Sequence, residues 1–149
     1  MNRLEERRLE RENAFSMLFE WEFDTTRNIE EIYENAREAR EIQPSDYLEV
    51  ILHGIAAHRE ELDTLIAAHS NGWKRNRISH VAAAVMLLAS YEMLYREDIP
   101  VRVSLNEAVE LMKKFDEEKA RVFVSGVLNA IAEEIEEKEA APQGDGEQG

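Results

Sequence analysis

The sequence predicts an all-α fold, a compact bundle of six or seven helices, and three observations carry that expectation. Apolar residues recur at helical spacing along nearly the whole chain, and no stretch shows the strict alternation of a half-buried strand. The segment Ile78 to Tyr95, with "VAAAVMLLA" inside it, is apolar almost all round, as befits a helix at the centre of a bundle. A content of 44% hydrophobic and 34% charged residues fits a globule with a heavily solvated surface.

The elements follow in order. Phe15, Leu18 and Phe19 begin the stripe of a first helix, over residues 4 to 23. Ile29, Ile32, Tyr33 and Ala36 mark a short, mostly polar second helix. After Pro44, Ser45 reads as the N-cap of one long third helix, with Leu48, Ile51, Leu52, Ile55, Leu62, Leu65 and Ile66 on one face. It is expected to end at "HSNGW", where Asn71 and Gly72 tolerate left-handed conformations. The apolar helix from Ile78 follows and stops at Pro100, with Ala82, Ala83 and Ala84 letting neighbours approach. "SLNE", Ser104 to Glu107, reads as a capping box that opens a helix to Phe115. A last helix buries Ala120, Phe123, Val124, Val127, Leu128, Ile131 and Ile135. Gly54 and Gly126 fall inside helices, where close packing is the plain explanation.

At 149 residues the chain fits one domain, here placed at 1–138. Residues 133 to 149 hold seven acids against the single Lys138, with Pro142, Gly144, Gly146 and Gly149, so 139–149 is expected to be a disordered acidic tail. There are no cysteines, which excludes disulfides and thiolate metal sites and favours the cytoplasm. The longest apolar run, Val81 to Ala89, is about half of what spans a bilayer, so a soluble protein is expected.

Catalytic chemistry finds little support. No glutamate stands three residues before any histidine, no His-Glu-x-x-His occurs, and His53 and His58 are badly spaced for one helix face. There is no phosphate-binding glycine loop, and Ser45, Ser104 and Thr64 have structural readings as caps or helix-face polar groups. No enzyme activity, cofactor or metal is expected.

The unusual feature is "RRLERENAF". In a chain of net charge −14, Arg3, Arg7, Arg8 and Arg11 fall within about 140° of a helical wheel, with Glu5, Glu6, Glu10 and Glu12 opposite. Their arc runs on into the Phe15 and Leu18 stripe. Either the arginine stems cover the bundle's rim and their heads pair with glutamates, or the guanidinium groups hold an anionic backbone. "WKRNR", Trp73 to Arg77, adds a second acid-free cluster, and Lys113, Lys114, Lys119 and Arg121 flank the start of the last helix.

Three blocks, in order, resemble the NusB family of transcription antitermination factors. "RRLERENAFSMLFEWEFD" (7–24) is similar to the family's Arg-Arg-x-x-Arg-Glu-x-Ala opening. "NGWKRNRISHVAAAVMLLASYEMLYREDIP" (71–100) is similar to its Trp-x-x-x-Arg-Ile and Tyr-Glu-Leu-Leu…Asp-Ile-Pro segments. "VSLNEAVELMKKFDEEKARVFVSGVLNAIA" (103–132) is the most specific, resembling its Asn-Glu-Ala-Val-Glu-Leu and Phe-Val-Asn-Gly-Val-Leu runs.

The resemblance implies two packed helical subdomains without a catalytic centre. It implies a protein that binds single-stranded boxA RNA of ribosomal-RNA transcripts together with NusE, a small-subunit ribosomal protein, and helps RNA polymerase read through terminators. Arg7, Arg8 and Arg11 then match the arginine-rich helix start, Phe123 the aromatic of the RNA surface with Lys119 one turn before it, and Phe19 an aromatic of the partner surface. Ala82, with Ala83 and Leu87, lies in the segment that meets NusE but replaces the family's usual charged residues. Asp116 replaces a usual glycine, and Lys119 stands where an acid can occur. The alternatives are a protein-interaction bundle without RNA binding, the leader domain of an RNA-modifying enzyme, and a homodimer formed through Ala82 to Leu88. The chain's acidity leads to the expectation that a basic NusE supplies much of the phosphate affinity.

Overall fold

The computed structural model describes residues 2–70, 78–116 and 118–141. Among these residues the chain forms seven helices and no strand: α1 Arg3–Glu22, α2 Ile29–Glu38, α3 Asp46–Ala57, α4 Arg59–Ala68, α5 His80–Tyr95, α6 Val101–Phe115 and α7 Glu118–Ala140. The "WKRNR" cluster, the Asn71–Gly72 break and residues 142–149 of the expected tail lie outside the described residues. Glu139 and Ala140, placed in the tail from sequence, continue α7.

Local chemistry explains most helix starts. Asn2 and Glu5 form a reciprocal capping box at α1, the Asn28 side chain accepts from Glu30 N–H, Ser45 caps Leu48, and Ser79 caps Ala82. α5 is the hub: every residue from Ala82 to Met93 is buried, and the helix touches α1, α3, α4, α6 and α7. One group, α1 to α3, packs through α1 and α3 against α5, while α4, α6 and α7 cover its other sides.

Four expectations are corrected. The expected third helix is two, α3 and α4, hinged at His58 (φ −113°, ψ 18°). Ile55 and Leu62 keep the same helical phase across the hinge and no glycine or proline marks it, so periodicity is blind to it. What holds the bend is tertiary. The His58 ring stacks on Tyr95 at 4.4 Å, and Arg59 turns back to Glu22 at 2.8 Å and over the Trp21 ring. The Tyr95 hydroxyl donates to Glu61, a bond that pushes its pKa up to about 12.

The Ser104–Glu107 capping box is also absent. α6 starts four residues earlier, because Pro100 brings a preset φ of −58° and its carbonyl accepts from Val103 and Ser104 N–H. That places Ser104 and Glu107 inside the helix, with their side chains free for other partners. Close packing explains one glycine and not the other. A Cβ on Gly54 would lie 2.1 Å from the Tyr91 hydroxyl, whereas one on exposed Gly126 would meet nothing within 4 Å. The Ala82 to Leu88 segment is interior throughout, so it offers no face to a second copy of the chain.

Candidate nucleic-acid interface

Three of the four arginines of the basic arc, Arg7, Arg8 and Arg11, leave α1 in three directions. Arg11 goes inward: it is 4% exposed and forms a two-pronged pair with Glu92, Nε to Oε2 at 2.9 Å and Nη2 to Oε1 at 3.2 Å. Glu92 is the one charged residue in the buried stretch of α5, and it also accepts from the Tyr47 hydroxyl and from Ser104 Oγ at 2.7 Å. Its carboxylate therefore collects hydrogen bonds from α1, α3 and α6 at once. Burial works against the Arg11 charge, but the bond to Glu92 and its charge outweigh that and hold the guanidinium protonated. Burial and the adjacent Glu92 push the Tyr47 phenol well above its ordinary value. The expectation that Arg11 belongs to an open basic face is thus corrected: its head is a core group, satisfied from inside.

Arg7 turns the other way. Its guanidinium lies over the Tyr47 ring at 4.4 Å and its Nε donates to Glu10 at 3.0 Å. Arg8 reaches across to α6, where Nε and Nη2 clasp Glu107 at 3.0 to 3.2 Å. The bond to Glu107 and its charge raise the Arg8 pKa, and Glu107 also lies 3.9 Å from Arg11 Nη1.

Between α1 and α6 runs a groove of about 310 Å³, lined by Arg8, Arg11, Glu12, Glu107, Glu110, Leu111, Lys113 and Lys114. The two lysines occupy the last turn of α6, where the helix carbonyls favour cations. Phe115 ends that helix stacked on Phe15 at 4.9 Å, 41% exposed, with Lys114 Nζ 5.5 Å from its ring. Lys119, four residues on and so within about 15 Å of chain, is exposed on the first turn of α7. Phe123, one helical turn later, is half-buried against the core. Asp116 joins the two helices in extended backbone (φ −143°, ψ 173°), needing no glycine, and accepts from Ser79 Oγ at 2.6 Å.

Lys113, Lys114 and Phe115 were not singled out as site residues from sequence, although "KKF" at a helix end, a bare aromatic beside two cations, is a usable signal.

A second surface continues along α1. Phe19 packs edge-on against Phe23 at 5.1 Å, and Phe23, 63% exposed, meets the His80 ring at 4.1 Å. Ala82 is 1% exposed directly behind that end of α5, so its methyl is inside the chain. The surface near it is carried by Phe19, Phe23 and His80.

Among the described residues, no group of three or more histidines, aspartates or glutamates is arranged to hold a metal, and no helix is long and apolar enough to cross a membrane. The α1–α6 groove gathers four cationic side chains with three carboxylates, and the Phe115 ring stands beside Lys114 at the end of α6.

Comparison with known proteins gives a consistent picture. The model of the NusB family matches residues 8–133. Transcription antitermination protein NusB of Bacillus subtilis (strain 168) is 42% identical over 131 residues, covering 88% of this chain and 98% of that protein. The Myxococcus xanthus protein of the same name is 37% identical, covering 85% and 94%. Of solved structures, T. maritima NusB aligns with a TM-score of 0.74 at 33% identity, over 95% of this chain and 96% of that one. A complex of antitermination factors NusB and NusE with dsRNA aligns at 0.75 and 27% identity, over 86% and 96%.

Proposed function

This chain belongs to the NusB family, and from that premise we propose that it is a transcription antitermination factor. It binds boxA RNA of ribosomal-RNA transcripts together with NusE and promotes read-through by RNA polymerase. It does so as a binding protein of the cytoplasm, without catalysis. The observation that carries this reading is the gathering of Arg8, Lys113 and Lys114 along one groove, with the Phe115 ring beside Lys114, in a relative of proteins named for antitermination.

In this reading Arg8 and Lys119 hold phosphates while Phe123 stacks on a base. Arg7 contributes from the flank, and Arg11 positions α1 from within the core. Phe19, beside Phe23 and His80, receives NusE, and Ala82 serves that surface from behind by letting α5 sit close. The folded unit runs through α7 to Ala140.

The deciding experiment is a titration of a boxA oligonucleotide with and without NusE, at two salt concentrations. Weak binding alone and much tighter binding with NusE supports the proposal. Equal affinities overturn the role given to a basic partner. Charge reversal of Arg7 and Arg8 that leaves binding by the NusE complex within about twofold overturns the RNA role of this edge.

A further inference from the structure

The cations of the α1–α6 groove are already spoken for. Lys114 Nζ contacts Glu12 Oε2 at 2.5 Å, Arg8 clasps Glu107 at 3.0 Å, and Lys113 reaches Glu110 at 3.4 Å. Arg11 is matched by Glu92. The groove is thus neutral, although it is lined with positive groups. Lys119, by contrast, makes no ion pair among the described residues.

Resting on the RNA-binding reading, we infer that Glu12, Glu107 and Glu110 are built-in competitors for the RNA backbone: they keep Lys114, Arg8 and Lys113 closed, and phosphates enter by displacing carboxylates. Each displacement is cheap. Glu12 and Glu110 are 34% and 59% exposed as side chains, so a released carboxylate is taken up by water. Glu107 is only 12% exposed, but Arg11 Nη1 at 3.9 Å remains beside it when Arg8 swings away. Exposed pairs of this kind hold weakly, which suits a latch that must open. A groove with open cations would take up any polyanion; a compensated one takes up RNA only when further contacts add to the phosphate term. The chain's acidity is then placed where it acts on binding.

The test uses the full chain, with a boxA oligonucleotide and a scrambled one of equal length. Glu12→Gln with Glu110→Gln is expected to tighten both by roughly threefold to tenfold, equally, because phosphate contacts carry no sequence information. A control pair on α2, Glu31→Gln with Glu38→Gln, removes the same charge away from the groove and is expected to change affinity by no more than about twofold. Both variants lie on exposed helix faces, and their thermal unfolding checks the fold. If the groove pair changes affinity no more than the control pair, the latch is overturned. Arg8→Glu separates this failure from that of the RNA reading. If it weakens binding while the groove pair does nothing, only the latch falls; if it leaves binding unchanged, both fall.

Discussion

Arg11 and Glu92, 81 positions apart in sequence, share a buried two-pronged salt bridge that ties α1 to the central helix α5. A basic face drawn on a helical wheel therefore conceals two kinds of arginine, one that builds the protein and others that remain at its surface.

Removing the inner arginine is expected to damage stability. Arg11→Ala leaves Glu92 buried with only Tyr47 and Ser104 as donors, a loss of about 3–5 kcal/mol. Arg8→Ala, at a side chain 53% exposed, is expected to cost less than about 1 kcal/mol. Urea unfolding of the two variants checks the contrast.

The two glycines inside helices are expected to respond oppositely. Gly54→Ala drives a methyl into the Tyr91 hydroxyl and ring edge and costs about 1–3 kcal/mol. Gly126→Ala meets open space and gains up to about 1 kcal/mol from helix propensity. Melting temperatures of the two variants decide it.

Charge and stacking are separable in the RNA titration. Lys119→Ala is expected to reduce the slope of log affinity against log salt by about 0.7. Phe123→Ala is expected to cost about 1–3 kcal/mol of binding while leaving that slope unchanged. Parallel titrations over a range of salt concentrations, with NusE present, distinguish the two.

On acidification, Glu136 gives a local reporter. Its bond to Arg102 holds its pKa below the ordinary 4.5. Because the folded value is depressed, the stabilisation is present above the ordinary value and is lost as pH falls through the folded one. Carboxyl NMR titration is expected to show a midpoint below 4.5, returning toward it in Arg102→Ala.

The fold class was legible because the helical stripes and the apolar central helix are local patterns. The hinge at His58 was not, since Ile55 and Leu62 stay in phase across it and the bend is held by Tyr95, Glu22 and Trp21 from other helices. Ser104 was misread for a related reason. Its spacing to Glu107 fits a cap, but Pro100 starts the helix first, and the hydroxyl serves Glu92. Arg11 could have been sorted from its neighbours. Glu92 is the lone charge in an otherwise apolar helix, and such a charge requires an opposite partner of equal burial.

The arginine edge also has an order of assembly. Arg8 meets its partner Glu107 across 99 positions, and Arg11 waits for Glu92. Pairings so distant cannot form before the chain between them has been made and its loop closed. A growing chain that has emerged only as far as α4 carries Arg8 and Arg11 without their partners, while Arg7 already has Glu10 beside it. The finished surface is therefore a property of the completed chain, and a fragment that stops short of α6 keeps the basic motif while losing the groove.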